Sequence, residues 1–122
     1  MVDDDPAILS FVSGLLLDAG YHVLTASSGA AALQQSKHHR GEIHLLLSDF
    51  QMPAMSGIEL ATQMSLDRPQ IKVLMMSGFT GGMLVLNEGW HFLPKPFVAS
   101  QLRALVTGLI CPEKQSRYSR QL

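Results

Sequence analysis

The stretch Ile43-His44-Leu45-Leu46-Leu47-Ser48, closed by Asp49, constrains this chain more than any other. Its apolar residues run on almost without a break instead of alternating with polar ones, the pattern of a strand covered on both faces. Such a strand needs helices above and below it, and the rest of the chain must supply them. Residues 73–76 repeat the pattern, and shorter strand signals stand at 22–26 and 91–93. Between them the period changes from two to 3.6. Ile8, Leu9, Val12, Leu15, Leu16 and Ala19 form a helical stripe over 6–19, with Asp5 placed to cap it, Pro6 in its first turn and Gly20 at its end. Ser28-Gly29 opens an Ala-rich helix to about residue 38, and Ser56-Gly57 opens another to about residue 65. A short helix is expected near 83–87. A last one, over 100–110, carries Leu102, Leu105, Val106 and Leu109 and ends before Pro112.

Strands alternating with helices through short connections predict an α/β fold with a parallel sheet. Five such units predict a flavodoxin-like, doubly wound, five-stranded sheet in the order 2-1-3-4-5. With 122 residues there is room for one domain, assigned to 1–111, followed by a polar tail or linker over 112–122. The first strand has to end just before Asp3, where only Met1 and Val2 stand, so it is expected to be truncated at the centre of its own sheet. That reading expects upstream residues or a borrowed segment to complete it.

Composition closes off several function classes. Nine basic against ten acidic residues give a formal net charge of −1, without the basic stripe that direct nucleic-acid contact requires. Cys111 is the only cysteine, which excludes an internal disulfide and a cysteine zinc site and fits a reducing cytoplasm. No apolar run is long enough to span a bilayer. His22, His38, His39, His44 and His91 lack ligand spacing and read as surface or edge residues. Met52, Met55, Met64, Met75, Met76 and Met83 read as packing material, and Trp90 as half-buried near the last strand.

The polar residues left over gather at one end of the predicted sheet. Asp3, Asp4 and Asp5 follow the first strand, Asp49 the third and Ser77 the fourth, and Lys95 lies just past the fifth. Ligands of open parallel sheets bind outside the carboxyl ends of the strands, so these residues converge on one crevice. Carboxylates crowded together stay ionised only beside a cation, and a few oxygen ligands with open positions suit Mg²⁺. An acidic nucleophile, a metal, a lysine and a hydroxyl make a phosphoryl-transfer site.

Val2-Asp3-Asp4-Asp5-Pro6, Leu47-Ser48-Asp49-Phe50-Gln51-Met52-Pro53 with Ser56-Gly57, Met76-Ser77-Gly78, and Pro94-Lys95-Pro96-Phe97 together resemble the response-regulator receiver family of two-component signalling. The resemblance covers roughly residues 1–110. It implies that Asp49 is the phosphoacceptor, that Asp4 binds Mg²⁺ (or Mn²⁺) directly with Asp3 acting mostly through water, and that Gln51 offers its backbone carbonyl to the metal. By the same resemblance Ser77 is the switch hydroxyl, Lys95 pairs with the phosphoryl oxygens, Lys95–Pro96 is a cis peptide, and Phe92 is the rotating aromatic. The implied partner is a histidine kinase or histidine phosphotransfer protein of a bacterial phosphorelay, with room for a dimer formed on phosphorylation. The wording around Ser77 and Lys95 is similar to that of receivers at the end of hybrid histidine kinases. Residues 80–90 are shorter than the family's usual stretch. Two rivals stay open at this point: a pseudo-receiver that keeps the fold as a binding surface, and a haloacid-dehalogenase-type phosphatase, which also uses an aspartate, Mg²⁺ and a lysine.

Overall fold

A computed structural model describes residues 1–77 and 90–110. Three strands, β1 (Leu45–Asp49), β2 (Lys72–Ser77) and β3 (Trp90–Pro94), form a parallel sheet in the order β1-β2-β3. Leu47 lies opposite Leu74 in the first pair, and Met75 opposite Phe92 in the second. Around them run α1 (Pro6–Asp18), α2 (Gly29–His38), α3 (Gly57–Asp67) and α4 (Ala99–Ile110).

The nearly continuous apolar run has the expected consequence. Side chains alternate across a strand, so Leu46 faces one helical layer and Leu47 the other. On the first face Leu46, Val73 and Met75 pack with Leu60, Ala61 and Met64 of α3 and Ala32 of α2. On the second, Leu47, Leu74 and Met76 pack with Val12 and Leu16 of α1 and Leu102 and Val106 of α4. Each fully buried large side chain contributes about 1.5–3 kcal/mol, which makes the two-sided core the main source of stability.

Helix starts follow the local signals. The Asp5 carboxylate accepts the Ala7 N–H at 2.9 Å, one residue before Pro6 opens α1. Ser28 caps α2, and Ser56 with Glu59 forms a capping box on α3. The far end of α2 is closed by Arg68. Its guanidinium donates to Ser36 Oγ at 3.1 Å and to the carbonyls of Ser36, His39 and Gly41 at 2.9 Å each. A forked, permanently charged donor suits the carbonyls that a helix C-terminus leaves unpaired.

The second strand requires correction. Over residues 22–26 only Ala26 forms a β-bridge, to Val2, with the Leu24 carbonyl accepting from the Met1 nitrogen at 2.9 Å, and Val2 bridges in turn to Ser48. The first two strands are thus reduced to single bridges beside a three-stranded ladder. The physical reason lies in the partner: Met1 and Val2 offer too little backbone to pair with the whole of 22–26. The lateral order nevertheless matches 2-1-3-4-5, because Val2 stands between Ala26 and β1.

Helix and strand ends elsewhere move by a residue or two, as frayed ends do. The helix expected at 83–87 and the tail at 112–122 lie outside the described residues. Among the described residues, no helix is long and apolar enough to cross a membrane. Four of the five histidines are exposed, His39 is half-buried, and Trp90 is half-buried.

Candidate functional site

The ladder around Val2 brings the acids together. Val2 accepts the Asp49 N–H at 2.9 Å and donates to the Leu47 carbonyl at 2.8 Å, while the Asp3 N–H reaches the Ala26 carbonyl at 3.2 Å. Asp3 and Asp49 therefore leave neighbouring strand positions at the same edge of the sheet. One carboxylate oxygen from each of Asp3, Asp4 and Asp49 lies within 4.8 Å of the others. Asp3 is buried at 1% exposure and Asp4 is exposed, so the cluster has a dry floor and an open rim.

Lys95 faces this cluster. Its ammonium stands 3.2 Å from Asp49 Oδ1 and 3.4 Å from Asp3 Oδ2. Backbone geometry brings it there. Ser77 lies opposite Pro94 in the ladder, the Lys95 N–H donates to the Ser77 carbonyl at 2.7 Å, and the Lys95–Pro96 peptide is cis. Ser77 is buried at the end of β2, and its own carbonyl is the acceptor of that hydrogen bond. Burial pushes the Asp3 carboxyl above the ordinary aspartate value. The Asp5 N–H on Asp3 Oδ1 at 2.9 Å and the Lys95 charge oppose the shift, while the Asp49 charge adds to it.

Three carboxylates and one ammonium leave an excess of negative charge in a partly dry pocket. The donors are all hard oxygens, without histidine or cysteine among them, and one side is open to water. That set fits a divalent cation such as Mg²⁺, which prefers oxygen ligands and retains waters. A carboxylate nucleophile held beside an ammonium is also the polar equipment for accepting a phosphoryl group.

Other sequence-predicted residues stand further out. Gln51 lies exposed two positions beyond Asp49. Phe92 is half-buried in β3 and packs on the layer formed by α2 and α3. Sequence reasoning missed the support behind Asp49. Gly57 reads in the sequence as a helix start and as part of the Ser56-Gly57 motif, yet an ideal Cβ there would lie 2.3 Å from the Asp49 carbonyl oxygen. Its N–H donates to the Phe50 carbonyl at 2.9 Å, and the Phe50 N–H to Met76 at 2.7 Å. The Ser56-Gly57 pair was the one available signal.

Comparison with known proteins agrees with this geometry. The family described as the response regulator receiver domain matches residues 1–107. The chain is 33% identical over 119 residues to the sensor kinase CckA of Brucella abortus, covering 94% of this chain and 12% of that protein. It is 33% identical over 108 residues to the two-component response regulator ORR24 of Oryza sativa subsp. indica, covering 85% of this chain and 17% of that one. It thus spans a small part of the curated relatives it matches. Among solved structures, a receiver domain protein from Clostridium thermocellum superposes with a TM-score of 0.81 at 27% identity, covering 93% of this chain and 94% of that one. The receiver domain of the hybrid histidine kinase CckA superposes with a TM-score of 0.80 at 32% identity, covering 89% and 94%. An Asp-rich pocket at the carboxyl edge of a parallel sheet, joined to these matches over nearly the whole described chain, shows that it belongs to the response-regulator receiver family, the phosphoacceptor domains of two-component signalling.

Proposed function

We propose that this chain accepts a phosphoryl group on Asp49 from a phosphohistidine of a histidine kinase or phosphotransfer protein, in a reaction that requires Mg²⁺. The observation that carries the reading is the Lys95 ammonium held 3.2 Å from Asp49 Oδ1 and 3.4 Å from Asp3 Oδ2, beside the open carboxylate of Asp4. An Asp49 oxygen forms the new bond to phosphorus as the donor's P–N bond breaks, and the imidazole leaves with a proton. Lys95 then turns from carboxylate partner to phosphoryl partner, offsetting charge on the oxygens where it develops. Asp3, Asp4 and Asp49 would hold the metal, with the Gln51 carbonyl as a further oxygen donor. Bound there, Mg²⁺ would supply the Lewis acidity that screens the incoming phosphoryl charge.

In this reading Ser77 is the hydroxyl that turns toward the acyl phosphate, and the Lys95–Ser77 backbone bond ties its position to that of the lysine. Phe92 carries the change away from the pocket into the layer against which it packs. The receiver unit is taken as 1–111 and acts in the cytoplasm, either within a larger signalling protein or beside one. A pseudo-receiver role is disfavoured because all three acids and the lysine stand together in one pocket.

The test is direct. With Mg²⁺ and acetyl phosphate or phosphoramidate, intact mass should rise by one phosphoryl group that hydroxylamine removes. Asp49→Asn should abolish it, because an amide oxygen is a poor nucleophile. A hydroxylamine-labile adduct of normal yield on Asp49→Asn would overturn the assignment.

A further inference from the structure

Ser48 interrupts the apolar run one residue before Asp49, where a valine or leucine would continue it. It is fully buried and stands opposite Met75 in the ladder. Side chains alternate across a strand, so Ser48 shares the face of Leu46 and points at the layer formed by α2 and α3. A hydroxyl among apolar side chains costs stability unless it finds a partner. Its partner is the carbonyl of the next residue: Ser48 Oγ donates to the Asp49 carbonyl oxygen at 2.9 Å.

At that carbonyl the sheet stops. Val2 donates to the Leu47 carbonyl and accepts from the Asp49 N–H, so the odd-numbered residues of β1 turn their backbone groups toward Val2. By the alternation of a parallel ladder, the next bond would run from the Asp4 N–H to the Asp49 carbonyl. Among the described residues that backbone bond is not formed, and the Ser48 hydroxyl takes its place. At the other end of the same peptide plane, the Phe50 N–H donates to the Met76 carbonyl at 2.7 Å. Gly57 packs against the plane, close enough that an ideal Cβ there would lie 2.3 Å from the Asp49 carbonyl oxygen and 3.1 Å from Phe50 Cα. The peptide between Asp49 and Phe50 is therefore gripped by both of its polar atoms and backed by the start of α3.

Given Asp49 as the phosphoacceptor, the reading on which this rests, we propose that Ser48 is its positioning residue, with the hydroxyl fixing the tilt of the Asp49–Phe50 peptide. Side chains alternate, so the hydroxyl lies on the face opposite the Asp49 carboxylate and acts through the Asp49 backbone alone. A plane free to tilt would redirect the chain at Gln51, whose carbonyl is the further oxygen donor of the proposed metal set. It would also loosen the backbone from which the Asp49 carboxylate faces Lys95 at 3.2 Å. Attack on phosphorus needs the carboxylate oxygen held in one geometry, and a misplacement of about 1 Å costs about 100-fold in rate. A hydroxyl bonded to the plane resists the tilt, whereas an apolar side chain of equal size does not.

The pair Ser48→Thr and Ser48→Val isolates the hydroxyl, because both add the same bulk to a closed site and only threonine keeps the donor. With Mg²⁺ and acetyl phosphate, Ser48→Val should take up the phosphoryl group about tenfold more slowly than Ser48→Thr. Ser48→Ala, which adds no bulk, should be slowed about tenfold against the unsubstituted chain. Without any phosphodonor, amide exchange at Phe50 should quicken by about tenfold in Ser48→Val relative to Ser48→Thr, and in Ser48→Ala relative to the unsubstituted chain, while exchange at Leu74 in mid-β2 stays the same. A merely structural role would instead speed exchange at both amides together. Equal phosphorylation rates for the threonine and valine variants, or an alanine variant as fast as the unsubstituted chain, would overturn the proposal. An unsubstituted chain that takes up no hydroxylamine-labile phosphoryl group would sink the phosphoacceptor reading instead, and exchange at Phe50 would then decide whether the hydroxyl holds the peptide.

Discussion

Replacing Gly57 by alanine would put a methyl carbon 2.3 Å from the Asp49 carbonyl oxygen, 3.0 Å from Met75 Sδ and 3.1 Å from Phe50 Cα. The sulfur can swing aside, but the two backbone atoms belong to the end of β1 and the residue after it and can move only with them. Overpacking of this kind costs about 1–3 kcal/mol, and stretching the 2.9 Å bond from Gly57 N–H to Phe50 adds up to about 1 kcal/mol. Against this, alanine gains up to about 1 kcal/mol in a helix interior, and less here because Gly57 is the first residue of α3. The net expectation is a loss of about 2 kcal/mol, which at about 4 °C per kcal/mol for a domain of this size lowers the melting midpoint by about 8 °C. Gly14 is the control. It lies exposed inside α1 with nothing within 4 Å of its ideal Cβ, so Gly14→Ala should stabilise by about 0.5–1 kcal/mol. Scanning calorimetry reads both, and phosphorylation by acetyl phosphate should be slowed in Gly57→Ala alone. A Gly57→Ala protein that melts at or above the wild-type midpoint, while Gly14→Ala behaves as expected, would refute the packing argument.

Three further outcomes are expected. Saturating Mg²⁺ should raise the melting midpoint, by the equivalent of about 2.7 kcal/mol at a hundredfold excess over Kd, and Asp4→Asn should at least halve that gain; an identical gain by calorimetry would remove Asp4 from the metal site. Lys95→Ala should keep the fold but slow phosphorylation about 100-fold, a deficit that single-turnover mass measurements with acetyl phosphate would register or deny. For the metal-free protein, the raised folded pKa of Asp3 means the native state binds its proton before the unfolded chain does. Its contribution to stability should therefore grow as pH falls through that raised value and be complete below the ordinary 3.8. Asp3→Asn should remove this slope in denaturation curves taken with a chelator, and a slope unchanged by the substitution would assign it to other groups.

The layered α/β plan was legible along the chain, because a nearly continuous apolar run such as 43–48 has the pattern of a strand covered on both faces, and the helical stripes beside it supply the cover. The chemical type of the pocket was legible too. Asp3, Asp49, Ser77 and Lys95 all follow strand signals, and parallel strands deliver their carboxyl ends to one edge. Helix caps at Asp5, Ser28 and Ser56 were legible for a similar reason: each acts on backbone only two or three residues away. Other features rested on distances the chain closes only when folded. Residues 22–26 carry a strand's composition, but pairing depends on a partner, and Met1 and Val2 give them a single bridge. Phe92 has an aromatic's sequence signal and packs into a core layer that its neighbours in β2 decide. Gly57 has no signal for its closest contact, because the Asp49 carbonyl comes up against it only after β1 and α3 have docked. The Arg68 clamp on α2 joins residues about thirty positions apart, and Lys95 meets Asp3 across 92. Local backbone chemistry can be read along a chain, whereas close approach between distant residues is set by how the layers pack.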